Sequence, residues 1–66
     1  MDIERIQYLT RKAQRGAITP KERDELARLL GYDPKDYQGD EGLAFLIGIA
    51  LGAIAAALII GLIKSS

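Results

Sequence analysis

The sequence predicts an all-α protein in which a short capped helical hairpin precedes one long apolar helix. Apolar residues recur at helical spacing over residues 3–13, a helix-capping motif begins at Thr19, and residues 42–63 carry no charge. All nine acidic residues and every basic residue except Lys64 lie before residue 42. This segregation is typical of a water-facing half joined to an apolar half. We therefore divide the chain into a hairpin (1–31), an acidic connector (32–41) and an apolar helix (42–64).

The first helix of the hairpin is predicted from a narrow apolar stripe. Its members lie three or four residues apart, as on one face of a helix: Ile3, Ile6, Leu9 and Ala13. The helix is expected to end before Gly16. A stripe this narrow must pack against another element.

The second helix carries a stronger start signal. A capping box with proline at the first helical position is formed by Thr19, Pro20, Lys21 and Glu22. The apolar face then follows at Leu26, Leu29 and Leu30, and Gly31 is suited to the position just after the helix. Asp24 and Arg28 lie four residues apart, the spacing of an exposed ion pair within one helix.

The connector carries a second, shorter set of helix-capping signals. Asp33 and Pro34 resemble the Thr-Pro cap of the second helix and predict one further helical turn. Tyr37 is expected near a membrane interface, where amphipathic aromatic rings are enriched. Asp40 is the candidate N-cap of the apolar helix, because its carboxylate suits the positive end of the helix dipole.

The apolar helix is long enough to cross a membrane. Residues 42–63 extend over about 33 Å as a helix, against about 30 Å for the hydrocarbon core of a bilayer. More than half of these residues are Leu, Ile or Phe, so insertion is favourable by several kcal/mol, on the order of half a kcal/mol for each such residue. Composition alone therefore predicts a single membrane-type span.

Small residues within this helix form two groups on roughly opposite sides. One group consists of Ala44, Gly48, Gly52, Ala55 and Ala56, and the other of Ala50, Ala53, Ala57 and Gly61. A bulky ridge runs between them through Ile47, Leu51, Ile54, Leu58 and Leu62. Small residues four apart let helix backbones approach closely, so we predict Gly48, Gly52, Ala56, Ala53, Ala57 and Gly61 as helix-packing residues.

Contacts through two different faces are heterologous, and heterologous contacts build rings or open helical arrays. The two groups therefore favour a homo-oligomer with a repeating arrangement. A helix this rich in glycine and alanine also fills several faces by composition alone, and both interpretations stay open. The surroundings of the helix, membrane lipid or copies of the same chain, stay open as well.

Residues 6–30 resemble the short C-terminal (SHOCT) domain, a small helical hairpin. The resemblance rests on Ile6, Leu9, Gly16, Ile18, Thr19, Glu22, Leu26, Leu29 and Leu30. It implies an oligomerisation or docking module. The hairpin usually closes the chain in that family, whereas here it precedes the apolar helix.

The overall layout is similar to that of the small α-helical major coat proteins of filamentous and rod-shaped viruses. A short amphipathic segment, a connector and one Gly/Ala-rich helix follow in the same order, with the approach to the helix at Tyr37, Gln38, Gly39, Asp40, Glu41 and Gly42. The resemblance implies a subunit of a helical shell. Coat proteins of filamentous phages usually carry several basic residues at the C-terminal end, where this chain has only Lys64.

The composition argues against an enzyme. There is no cysteine and no histidine, which removes thiolate chemistry, the commonest general base and the commonest transition-metal ligand. The apolar helix has no ionisable residue before Lys64, which argues against a proton or ion path. We predict no catalytic residue, no metal site and no cofactor.

The tightest basic cluster consists of Arg11, Lys12 and Arg15, at the end of the first helix. Each phosphate that these residues neutralised would add salt-dependent affinity for nucleic acid. No base-reading motif accompanies them, and a solvated helix C-terminus explains the same residues. A nucleic acid partner and a solvated helix end therefore both stay open as interpretations of this cluster.

The leading hypothesis is a self-assembling structural protein, either a virion coat or a membrane-shell subunit. The alternative is a single-pass membrane protein that presents a SHOCT-like cytosolic hairpin to a partner. A small regulator or a pore former is a third class. The predicted localisation is accordingly a virion or a membrane.

Overall fold

A computed structural model of the chain describes the backbone of residues 2–65 and the side chains of residues 2–61. The described part consists of α1 (Ile3–Gln14), α2 (Pro20–Leu29), a 3-10 turn (Pro34–Asp36) and α3 (Gly39–Ser65). The predicted all-α class is confirmed, with a hairpin first and one long apolar helix last. The predicted place of Leu62 on the bulky ridge lies outside the described side chains.

Glycine ends the first helix in the predicted way. Gly16 has a φ of +71°, a conformation that favours glycine, and its N–H donates to the carbonyl of Ala13 at 3.1 Å. The N–H of Ala17 donates to the carbonyl of Lys12 at 2.9 Å. These two bonds form a Schellman motif, which satisfies carbonyls that the end of a helix leaves unpaired.

The predicted capping box starts α2. The hydroxyl oxygen of Thr19 accepts from the N–H of Glu22 at 3.2 Å, and the carboxylate of Glu22 accepts from the N–H of Thr19 at 3.1 Å. Gly31, with a φ of +88°, ends the helix and donates to the carbonyl of Arg28 at 3.0 Å. Both ends of α2 are therefore where the sequence places them.

The connector forms the further turn that the sequence predicts, but α3 begins earlier than expected. The Asp33 carboxylate caps the 3-10 turn by accepting from the N–H of Lys35 at 3.0 Å. The interpretation of Asp40 as the N-cap of α3 is wrong, since the helix begins at Gly39 and Asp40 lies in its first turn. Its negative charge there still complements the helix dipole.

The hairpin folds back onto the N-terminal half of α3. Ile6 and Leu9 of α1, Leu26 of α2 and Ala50 of α3 form a single fully buried cluster. Half-buried apolar residues pack around it at Ile18, Leu29, Leu30 and Ile54. The narrow stripe of α1 is thus covered by the apolar helix of the same chain, and α1 contributes more of the contact with α3 than α2 does.

The C-terminal part of α3 extends beyond this core. The molecule is 41 Å long but only 22 Å and 17 Å across, and α3 with its 27 residues accounts for nearly all of the length. Leu58 and Ile59 are 62% and 57% exposed, which contrasts with the fully buried Ala50. The fold therefore has a packed half and a bare apolar half.

Candidate assembly surface on α3

Two ion pairs join α1 to α2. The Arg5 guanidinium donates twice to the Glu25 carboxylate, from Nε at 2.6 Å and from Nη2 at 2.9 Å. The Lys12 ammonium donates to Glu22 at 2.8 Å. The Arg5 and Lys12 charges also lie 5.2 Å and 5.5 Å from the centre of the Tyr8 ring between them. The hairpin is thus held by polar contacts as well as by its apolar core.

These contacts shift the acidity of both carboxyl groups. The ammonium of Lys12, together with the N–H and hydroxyl of Thr19, lowers the pKa of Glu22 to about 2 from its ordinary value of 4.5. The guanidinium of Arg5 lowers the pKa of Glu25 below its ordinary value. Both carboxylates are ionised at neutral pH and favour the closed hairpin.

The hairpin lies against one side of α3, here named the covered face. Leu46 and Ala50 are fully buried there, and the neighbouring positions are half-buried. The covered face consists of Leu43, Leu46, Ile47, Ala50, Ala53 and Ile54. Its spacing of three and four residues follows a single stripe along the helix. The small side chain of Ala50 lets the hairpin approach this stripe closely.

The opposite side of α3, here named the bare face, lies away from the hairpin, and among the described residues only Phe45 at its N-terminal end stacks on another ring, that of Tyr37. It consists of Phe45, Gly48, Gly52, Ala55, Ala56 and Ile59, all of them exposed. Nothing lies within 4 Å of the position that a β-carbon would occupy on Gly48 or Gly52. The bare face is therefore an apolar, charge-free surface with two flat glycine positions.

The predicted packing residues are divided between these two sides. Gly48, Gly52 and Ala56 lie on the bare face, where they are available to a second helix. Ala53 and Ala57 are half-buried on the side of the hairpin, and Gly61 is exposed beyond it. The hairpin thus occupies much of one of the two small-residue groups in the monomer.

Three aromatic rings lie where the connector meets α3. The rings of Tyr32 and Tyr37 meet edge to face with centroids 5.3 Å apart, and Tyr37 stacks on Phe45 at 5.3 Å. Gly42 allows this arrangement, because a β-carbon at that position would overlap the carbonyl carbon and oxygen of Tyr37. The connector is therefore packed tightly on the first turns of the apolar helix.

The predicted basic cluster is not a uniform positive patch. Lys12 is engaged by Glu22 and is half-buried, whereas Arg11 is exposed on α1 and Arg15 is exposed at the C-cap just after it. Arg11 also lines a shallow groove of about 180 Å³ between α1 and α3, beside Gln7, Leu51 and Ile54. The structure thus leaves two of the three predicted cations on the surface.

Among residues 2–61, no group of three acidic, cysteine or histidine side chains converges as a metal site would require. The depressions on the described surface are open grooves between or along helices. One of them, about 440 Å³, is lined by Lys21, Asp24, Glu25, Arg28 and Leu29 of α2 alone. The bare face is therefore the feature that we take as the candidate functional surface.

By length and composition, α3 is able to cross a membrane. The most apolar 18-residue stretch within Gly39–Gly61 has a mean hydropathy of 2.8, and only 11% of that stretch is buried, whereas the core helix of a soluble protein is mostly buried. No protein-family model, no curated protein and no solved structure matches the chain. The resemblances to SHOCT domains and to viral coat proteins accordingly stay predictions from the sequence.

The sequence patterns do not predict two features of the hairpin that packs on α3. Thr10 is buried in the hairpin, where its hydroxyl donates to the carbonyl of Ile6 at 2.6 Å, and no apolar pattern marks it. The pairs Arg5–Glu25 and Lys12–Glu22 were also missed, since they join residues on different helices. The prediction of an Asp24–Arg28 ion pair is wrong, because no ion pair joins these residues in the described part of the chain.

Proposed function

We propose that the protein is a non-enzymatic, self-assembling structural subunit whose copies pack through the bare face of α3. The charged hairpin then forms the polar layer of the assembly. A virion coat or a membrane-embedded shell is the kind of assembly that this layout suits. Neither role needs a cofactor or a catalytic group.

The bare face is the observation that carries this proposal. It runs without a charge from Phe45 to Ile59, alongside the hairpin and past it. Gly48, Gly52 and Ala56 recur along it at intervals of four, so two helix backbones are able to approach closely there. Exposed apolar surfaces of this extent are typical of sites where another molecule binds.

A second copy of the chain fits this surface better than lipid does while the hairpin is docked. The hairpin packs on α3 as far as Ile54, and only roughly 16 Å of helix follows that residue. A bilayer deep enough to cover the bare face would therefore also surround the charges of the hairpin. Moving charged groups into hydrocarbon is costly. A neighbouring copy covers the bare face with its own apolar helix and leaves the charges of the hairpin in water.

The test is the size of the protein in mild detergent and after detergent removal, with Gly52→Ile as the probe. The natural chain should form large regular assemblies once detergent is removed, as seen by light scattering and electron microscopy. Gly52→Ile should lose the regular assemblies, because the added side chain separates the helices. A β-carbon at this position meets nothing within 4 Å, and isoleucine is a better helix former than glycine, so the subunit itself should fold normally.

Leu58→Ile is the matched control, since it keeps the size and apolar character of a residue that lies on the bulky ridge. Its assemblies should equal those of the natural chain. Gly61→Ile tests separately whether the second small-residue group contributes to assembly. If this variant also fails to assemble, copies of the chain contact each other through both sides of α3. A natural chain that stays monomeric or dimeric after detergent removal would contradict the proposal.

The second candidate is a single-pass membrane anchor that presents the hairpin to a protein partner. The two ion pairs favour it, because they hold α1 and α2 together as a unit suited to docking. On this hypothesis the protein stays small in detergent, forms only irregular aggregates once detergent is removed, and Gly52→Ile changes nothing. The same sizing experiment therefore separates the two candidates.

A further inference from the structure

We propose that the hairpin is a releasable cover on α3, and that α3 spans a bilayer only after the hairpin has left it as an intact unit. This inference concerns how one chain meets lipid. It does not depend on whether copies of the chain assemble through the bare face.

The docked form and the spanning form exclude each other on length. The roughly 16 Å of α3 beyond Ile54 is about half of the hydrocarbon thickness of about 30 Å. A complete crossing needs the part of α3 that the hairpin covers, from Leu43 to Ile54. With the hairpin docked, that part would carry the ionised Arg5 and Glu25 into hydrocarbon.

The contact between the hairpin and α3 is of a kind that lipid is able to replace. Within residues 2–61, no hydrogen bond or ion pair joins α1 or α2 to α3, and the buried residues of α3 are Leu46 and Ala50. Acyl chains offer these apolar groups similar surroundings. Release on insertion therefore leaves no polar group of α3 without its partner.

The hairpin, by contrast, is joined internally by polar bonds that do not involve α3. Arg5–Glu25 and Lys12–Glu22 link α1 to α2 directly. Gly31 and Gly39, both at positive φ, lie at the two ends of the connector, where backbone rotation meets little steric resistance. The boundary between the hairpin and α3 is thus extensive but apolar, so that lipid is able to replace it, whereas the boundary between α1 and α2 also carries polar bonds.

A released hairpin is suited to bind the membrane surface. Its apolar stripe, with Ile6, Leu9 and Leu26, would lie in the interface while its charged side faces water. The rings of Tyr37 and Phe45 at the start of α3 would then lie at headgroup depth, where aromatic residues are enriched.

The test uses two crosslinked forms of the full chain, which has no natural cysteine. Gln7→Cys with Leu51→Cys, which line one groove, ties α1 to α3 when bridged by a short bismaleimide. Arg5→Cys with Glu25→Cys, bridged in the same way, ties α1 to α2 but leaves the hairpin free to leave α3. The second form is the matched control.

Each form, bridged and unbridged, is reconstituted into phosphatidylcholine vesicles that contain a membrane-impermeant amine reagent in the lumen. Mass spectrometry of the C-terminal peptide then reports labelling of Lys64 from inside. We expect labelling in every unbridged form and in the bridged 5–25 form. Labelling should be lost in the bridged 7–51 form, because the tethered hairpin keeps α3 from crossing.

Three outcomes would overturn the proposal. Equal lumenal labelling of the bridged 7–51 form would mean that α3 crosses with the hairpin still docked. Absence of labelling in every form, including the natural chain, would mean that α3 does not span at all. Loss of labelling in the bridged 5–25 form would show that the hairpin must itself open, which contradicts release as an intact unit.

Discussion

Gly42 lets the connector pack against the start of α3, because it has a hydrogen atom where other residues have a side chain. The backbone of Tyr37 lies directly against it, and the Tyr37 ring continues onto Phe45. Gly48 lies in the same helix, yet nothing approaches it within the chain. Two glycines of one apolar run therefore have different roles, one inside the molecule and one on its surface.

Gly42→Ala is expected to lower the free energy of unfolding by about 1–3 kcal/mol, the usual cost of forcing an extra group into a packed site. Thermal unfolding in mild detergent, followed by circular dichroism, measures the change. Gly48→Ala is the matched control and should be neutral or stabilising by up to about 1 kcal/mol, since alanine is the better helix former. Equal destabilisation of both variants would rule out the contact with Tyr37 as the cause.

At the scale of the elements, the ends of the helices follow from local sequence and the pairing of helices does not. The capping box at Thr19 and the glycine at Gly31 were predicted and are confirmed. The ion pairs were not, because spacing within one helix predicts Asp24–Arg28, whereas Glu22 and Glu25 instead reach across to α1. Which residues of two helices face each other depends on their packing, not on either helix alone.

The hairpin should lose stability in acid. The pKa of Glu22 falls from 4.5 to about 2 on folding, so its contribution is complete above about pH 4.5 and disappears as the pH falls toward 2. The melting midpoint of the natural chain should therefore drop over this range. In Glu22→Gln the drop should be shallower, with the remainder due to Glu25, whose pKa Arg5 also lowers.

Asp24→Asn is the control for that experiment, because Asp24 is exposed on the same helix and has no ion pair among the described residues. Its pH profile should follow that of the natural chain. An unchanged slope in Glu22→Gln would show that the bond with Lys12 does not contribute to the stability of the hairpin.

At the scale of the whole molecule, the docked hairpin makes the two sides of α3 unequal. Ala50 is fully buried beneath α1 and α2, whereas Ala55, five residues later, is exposed on the bare face. The same residue type in the same helix thus contributes to a core at one position and to a free surface at the other. This asymmetry underlies both the proposed assembly and the proposed release of the hairpin.

Ala50→Leu should push the hairpin away from α3, at a cost of about 1–3 kcal/mol for overpacking. Hydrogen exchange of the α1 amides should accelerate, since α1 loses the surface that covers its apolar stripe. Ala55→Leu adds the same side chain on the bare face and should leave exchange in α1 unchanged. Equal exchange rates in the two variants would contradict the docked position of the hairpin.

Local sequence is enough to predict the all-α class, the caps of the hairpin and an apolar helix of spanning length. These features depend on residues within one or two turns of each other, or on composition. Local sequence does not predict that the hairpin covers Leu46 and Ala50 and leaves Gly48 and Gly52 bare, which depends on how the helices pack. Both sides of the helix carry small residues at similar spacing, so the choice follows from contacts with Ile6, Leu9 and Leu26, far away in the chain.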